Sequence, residues 1–159
     1  MSERHGVFTG NVAEVLLAAG WADSWDKASA VLDWTRKLEL GFAIFPAAQQ
    51  ALRRFGGLRV EQRGPGEMCA RETFVIDPLL ALYEDDRFQA YASPLGTELY
   101  PLGEAAAGHV FLAISTDGRV FALMDEIWLI GNTIEAAIES LVRGRAAERL
   151  AIEPNWEQR

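Results

Sequence analysis

Among side chains able to act as nucleophiles, Cys69 is the sole cysteine, and the chain has two histidines, His5 and His109, that could activate it. A thiolate site would join Cys69 to His109, with Asp117 orienting the imidazole. Cys69, however, falls inside a strand-like run, not at a helix N-terminus where a thiolate would be stabilised. Ser115, Asp117 and His109 offer a hydroxyl version of the same chemistry, but no Gly-x-Ser-x-Gly elbow surrounds the serine. Gly64-Pro65-Gly66 invites a phosphate-loop reading, yet no lysine follows it and no helix opens after it, so it reads as a hairpin turn. Glu84-Asp85-Asp86 lacks the spaced oxygens and central glycine of a calcium loop, and spacing does not pair it with the distant Asp125-Glu126. No carboxylate pair is marked out as a shielded acid beside an ionised partner. These residues are accounted for by an ordinary sheet face, a turn and a solvated helix start. Composition and spacing point to no enzyme, no cofactor and no metal site.

The elements that must carry them follow from periodicity and punctuation. Val12 to Ala19 is an apolar run begun after Thr9-Gly10-Asn11 and stopped at Gly20, which predicts a short helix. Asp23-Ser24 can cap a second helix from Trp25 to about Leu40, with Trp25, Ala28, Val31, Leu32 and Leu38 on its apolar arc and Trp34 at the edge. Pro46 suits the first turn of a third helix, closed by Gly56-Gly57 after Phe55. Alternation then replaces helical spacing. Leu58 and Val60 lead to the Gly64-Pro65-Gly66 turn and to a strand with Met68, Ala70, Phe74 and Ile76 on one face, ended by Asp77-Pro78. Leu79 to about Ala92 reads as a turn and a short helix with an acidic first turn. After Pro101-Leu102-Gly103-Glu104 come three strands: Val110–Ile114, Val120–Met124 and Ile127–Ile130. Thr133 opens a last helix through Val142, and Gly144 stops it. Residues 145–159 show weak periodicity and are expected at the surface. Helices, then hairpin-linked strands, then a closing helix define an α+β class.

A chain of 159 residues, half of them hydrophobic, is long enough for one domain with a sizeable core. A net charge of −8 disfavours nucleic acid as a direct partner. One cysteine makes no internal disulfide, and no apolar run approaches the ~20 residues that span a bilayer. The N-terminal residues also lack the order of a signal peptide, so the expected compartment is the cytoplasm. Charge is unevenly placed. Arg53, Arg54, Arg59, Arg63 and Arg71 face only Glu61 and Glu67, whereas from Glu72 to Glu104 seven acids meet the single base Arg87. Such an acidic stretch suits capture of a basic protein partner. Trp21 and Trp25 belong to the expected core. Trp128 alternates with Ile127 and Leu129 and is expected to face outward beside Asp125 and Glu126.

Taken in order, Ala19-Gly20-Trp21, Phe45-Pro46-Ala47-Ala48, Phe55-Gly56-Gly57-Leu58, Arg63-Gly64-Pro65-Gly66, Phe74 with Ile76-Asp77-Pro78, Pro101-Leu102-Gly103-Glu104, Asp117-Gly118-Arg119-Val120 and Trp128-Leu129-Ile130-Gly131 form a series. The series resembles the SUKH superfamily, and within it the third immunity-protein subfamily. The resemblance covers about Val12 to Gly144, leaving residues 1–11 as a flexible N-terminus and 145–159 as a tail. It implies an α+β fold with a largely antiparallel or mixed sheet flanked by helices. It also implies a cytoplasmic immunity protein that binds the toxin domain of a polymorphic secreted toxin, often a nuclease or nucleic-acid deaminase. No catalytic residue is carried over. The competing expectation is a non-catalytic peptide-binding or regulatory scaffold of the same superfamily. For a basic toxin domain, the expected contact residues are Tyr83, Glu84, Asp85 and Asp86, together with Asp125, Glu126 and Trp128.

Overall fold

The computed structural model describes Phe8 and residues 10–156; Met1 to Val7, and with them most of the expected flexible N-terminus, lie outside the described residues. Helix α1 (Gly10–Ala18) buries Val12, Ala13 and Leu16. Helix α2 (Ala28–Leu38) starts three residues later than the sequence suggests, because Asp26 and not Asp23-Ser24 closes its entry. The Asp26 carboxylate accepts from the Ala28 N–H at 3.0 Å and from the Arg53 guanidinium at 2.8 Å. The inner stripe of α2 is narrower than expected, since Val31 and Leu38 are buried while Ala28 is exposed and Leu32 is 64% exposed. Helix α3 (Pro46–Phe55) follows its pattern closely: Phe45 is extended, Pro46 takes the first position, and Ala48, Ala51, Leu52 and Phe55 form the buried stripe.

These helices meet at an aromatic cluster. The Trp21 ring stacks on Phe55 at 5.3 Å, and Phe8 stands edge-on to both. The Trp21 indole N–H donates to the Arg54 carbonyl at 2.7 Å, which satisfies its one polar atom within the core.

Among the described residues seven strands form one sheet in chain order, every neighbouring pair antiparallel. They are β1 (Arg59–Val60), β2 (Phe74–Val75), β3 (Leu99–Ala105), β4 (Val110–Ser115), β5 (Val120–Leu123), β6 (Ile127–Gly131) and β7 (Glu148–Arg149). Strand β3 is the main departure from the sequence pattern, which marks no element over its residues. It absorbs Pro101 and Gly103 through an irregularity in its pairing with β4 at that point. Gly103 is required there, because a Cβ at this position would lie 1.9 Å from the Val75 carbonyl oxygen.

The first hairpin is also shorter than expected. Phe74 and Ile76 are buried, but Met68 and Ala70 are exposed in a loop, residues 61–73, between two-residue strands. That loop is held by the C-terminal end of α5 (Ile134–Arg143): the Met68 and Cys69 N–H groups donate to the Gly144 carbonyl at 2.8 and 2.9 Å. Glu67 meets Arg143 and Arg145, each at 3.1 Å.

A 3₁₀ turn (Pro78–Ala81) and helix α4 (Asp85–Leu95) lie between β2 and β3. Beyond α5, Glu148 and Arg149 add the edge strand β7, the Asn155 N–H donates to the Ala90 carbonyl at 2.7 Å, and Trp156 packs edge-on against Tyr91. Residues after Gly144 thus complete the sheet and cover part of α4. Among the described residues no helix is long and apolar enough to cross a membrane.

Candidate functional site

The histidine and serine that sequence offered for covalent chemistry do not assemble. His109 and Ser115 sit at opposite ends of β4, six residues apart along a strand that rises ~3.3 Å per residue, so about 20 Å separates them. Ser115 is buried and donates its hydroxyl proton to the Asp117 carboxylate, which also pairs with Arg119 at 3.0 Å. Those contacts, the serine first, hold the Asp117 carboxyl below its ordinary range and close the β4–β5 turn. Cys69 is exposed in the loop of residues 61–73. Among the described residues no group of three His, Cys, Asp or Glu side chains could hold a metal ion.

The segment from Asp77 to Asp86 is built differently. Asp77 caps the 3₁₀ turn by accepting from the Leu79 N–H at 3.0 Å. The turn closes through Leu82 N–H to the Leu79 carbonyl, and Glu84 N–H to the Ala81 carbonyl starts the next one. Between these two turns Tyr83 takes a left-handed backbone, φ 71°, and its side chain is 88% exposed. A tyrosine in that region carries a backbone strain of about 1–2 kcal/mol, so the chain reverses sharply here at a cost while presenting a bare aromatic ring.

Tyr83 stands on the rim of a cleft of about 620 Å³. Leu79 and Leu82 come from its own turn, Lys37, Leu40 and Phe42 from the end of α2 and the loop after it, and Asp85 from α4. Leu40 is fully exposed and Leu82 is 37% exposed. The two walls touch closely: a Cβ on Gly41 would meet the Asp85 carboxyl carbon at 2.7 Å, so only glycine lets the α2–α3 loop reach the start of α4. Asp85 and Asp86 occupy the first turn of α4, where the helix dipole favours their charge.

Of the expected contact residues, the structure places Tyr83, Glu84, Asp85 and Asp86 around one end of α4. Asp125 and Glu126 lie in the β5–β6 turn, which is tied to α4 through Tyr91. The Tyr91 hydroxyl donates to the Met124 carbonyl; burial raises its titration, Arg87 lowers it and Asp125 raises it further. Trp128 is half-buried in β6, paired with Ala122 and Arg149, and is not among the residues around the cleft. The acidic surface is more compensated than the linear count suggested. Glu84 pairs with Arg87 at 3.3 Å and Glu126 with Arg149 at 2.7 Å, so that among the described residues Asp85, Asp86 and Asp125 have no arginine partner. Sequence reasoning did not single out Leu40, Leu82 or Lys37. The available signal was Leu79-Leu80-Ala81-Leu82-Tyr83, more apolar side chains than one turn can bury.

The cleft thus brings together an exposed aromatic, exposed leucines and a charged rim. No curated protein and no solved structure matches the chain. A family model described as SUKH-3 immunity protein matches residues 8–144, which takes in every element from the aromatic cluster to the end of α5, and the chain belongs to that family.

Proposed function

We propose that this immunity protein neutralises a cognate secreted toxin domain, a nuclease or nucleic-acid deaminase, by direct contact in the cytoplasm, with the Tyr83 cleft as its principal docking surface. The observation that supports this choice is Tyr83 itself. An 88% exposed aromatic held in a strained backbone beside a fully exposed leucine gains little for the folded monomer, whereas a partner that covers both gains a desolvated anchor. Asp85, Asp86 and Asp125, with the paired Glu84 and Glu126, give the surroundings a negative potential that attracts a basic toxin surface before contact. Trp128, half-buried beside Arg149, is a flanking contact in this reading.

Leu40→Ser tests the assignment. Leu40 is fully exposed, so its loss leaves the melting temperature unchanged while weakening binding to the cognate toxin domain and removing protection in cells that express both. Met68→Ser is the matched control: Met68 is 68% exposed in the loop of residues 61–73 and away from the cleft. Full protection by Leu40→Ser, or equal loss in Met68→Ser, removes the cleft from consideration.

A further inference from the structure

The lining of the Tyr83 cleft narrows what can fill it. Its walls are largely apolar, from Leu38, Leu40, Phe42, Leu79 and Leu82, and they carry two charges, Lys37 and Asp85. Lys37 is already answered: its ammonium meets the Asp33 carboxylate, one turn back along α2, at 3.1 Å. Asp85 is not. Its side chain packs against Gly41 and is only half-buried, so it is open to the cleft, and among the described residues its carboxylate makes no hydrogen bond or ion pair. The Tyr83 ring, 88% exposed, stands on the same rim two residues away.

A partner that entered with a purely apolar side chain, a leucine or a phenylalanine, would take the Asp85 carboxylate out of water and give it nothing in return. An acidic side chain would meet it as a like charge. A long aliphatic stem with a cationic end has neither fault, because the stem covers the leucines while the end reaches the rim. Of the two such side chains arginine fits better. Its planar guanidinium offers paired donors to a carboxylate and a flat face to an aromatic ring, whereas the compact ammonium of lysine holds its water more strongly.

We infer that the Tyr83 cleft receives one arginine side chain of the partner, its guanidinium bound to Asp85 and stacked on Tyr83, its stem lying on Leu40, Leu79 and Leu82. The inference rests on the docking role proposed for the cleft and adds to it the residue type that enters. It also separates the acids of α4. Asp85 holds the arginine, while Asp86, in the same first turn but not in the cleft lining, contributes only to the long-range field.

The test titrates the full chain with the blocked peptide acetyl-Ala-Arg-Ala-amide and with versions carrying citrulline, lysine or norleucine at the centre, followed by the amide chemical shifts of Gly41 and of Leu82 to Asp85. The arginine peptide is expected to saturate. Citrulline keeps the shape without the charge and should bind at least about ten-fold more weakly, with lysine and norleucine also weaker than arginine. Asp85→Asn should weaken the arginine peptide about ten-fold and leave the citrulline peptide as it was. Asp86→Asn alters the same helix turn and should change neither by more than about two-fold. The inference is overturned if the arginine peptide fails to saturate, if citrulline, lysine or norleucine binds as tightly, if Asp85→Asn changes nothing, or if Asp86→Asn weakens binding equally. Leu40→Ser keeps this apart from the docking role: lost toxin binding in that variant beside a failed arginine titration overturns the arginine alone, and full protection by it overturns both.

Discussion

Replacing Tyr83 with glycine should push stability and binding in opposite directions. The left-handed backbone at φ 71° costs a non-glycine residue about 1–2 kcal/mol, a cost glycine does not bear. Glycine's own loss of chain freedom returns about 0.5–1 kcal/mol, and the ring, 88% exposed, forfeits almost no burial on removal. The balance is a gain of up to about 1.5 kcal/mol, which in a domain of this size raises the melting temperature by up to about 6 °C. If the ring is the anchor of the docking surface, its loss should cost at least ~2 kcal/mol of binding, about thirty-fold in affinity. Tyr83→Ala separates the two effects, because it removes the ring but keeps the strained backbone: binding should fall as far while the melting temperature stays put. Scanning calorimetry and surface-immobilised binding to the toxin domain read both quantities. A glycine variant that melts lower than the parent would refute the strain argument. One that binds as tightly would refute the placement of the partner.

The remaining expectations concern charge, core and pH. The double variant Asp86→Lys with Asp125→Lys changes two exposed acids that have no arginine partner among the described residues, so it should slow association and flatten its salt dependence without moving the melting temperature, as stopped-flow at two ionic strengths would show. Trp21→Ala should cost about 3–5 kcal/mol through lost packing against Phe55 and Phe8, with a further ~1–3 kcal/mol for the orphaned Arg54 carbonyl. Denaturant midpoints would check this, and Trp21→Phe, which keeps a ring but not the hydrogen bond, should lose only the second part. Burial pushes the Tyr100 phenol up to about 12, with the facing Thr35 offsetting part of the rise. Its folded value lies above the unfolded value near 10, so its contribution is complete below about pH 10 and is lost as pH climbs toward 12. Tyr100→Phe should therefore flatten the alkaline limb of stability measured from pH 9 to 12.

Much of this architecture is legible in the chain because local rules and tertiary packing agree. Pro46 and the i, i+3, i+4, i+7 stripe of α3, the Thr133 cap of α5 and the apolar runs of β4 to β6 all form where pattern and punctuation place them. Strand β3 was hidden because Pro101 and Gly103, ordinarily strand breakers, are absorbed at an irregular pairing and at a point where β2 approaches too closely for any side chain. Leu32, Met68 and Ala70 carry the periodicity of buried residues but face positions that no neighbour covers. For the candidate site, Tyr83 and the acids of α4 were visible as residue types. Leu40 and Lys37 join them only through the Gly41–Asp85 approach, a contact made across a long sequence separation. The acidic count was overread for a related reason: Arg149, which neutralises Glu126, arrives on a strand that the sequence left in the tail.

The two ends of the sheet bear on aggregation. Strands β3 to β5 are buried along nearly their whole length, the composition that stacks readily on a copy of itself if a hydrogen-bonding edge is left open. The sheet instead finishes in stubs of two residues, β1 with the exposed Arg59 and β7 with the exposed Glu148 and Arg149, which are too short and too charged to template another chain. A version ending at Gly144 would keep every element the family model covers, yet it would turn the five-residue, largely apolar β6 into the outer edge. Such a truncation is expected to polymerise on concentration, so the segment after Gly144 guards the solubility of the whole domain.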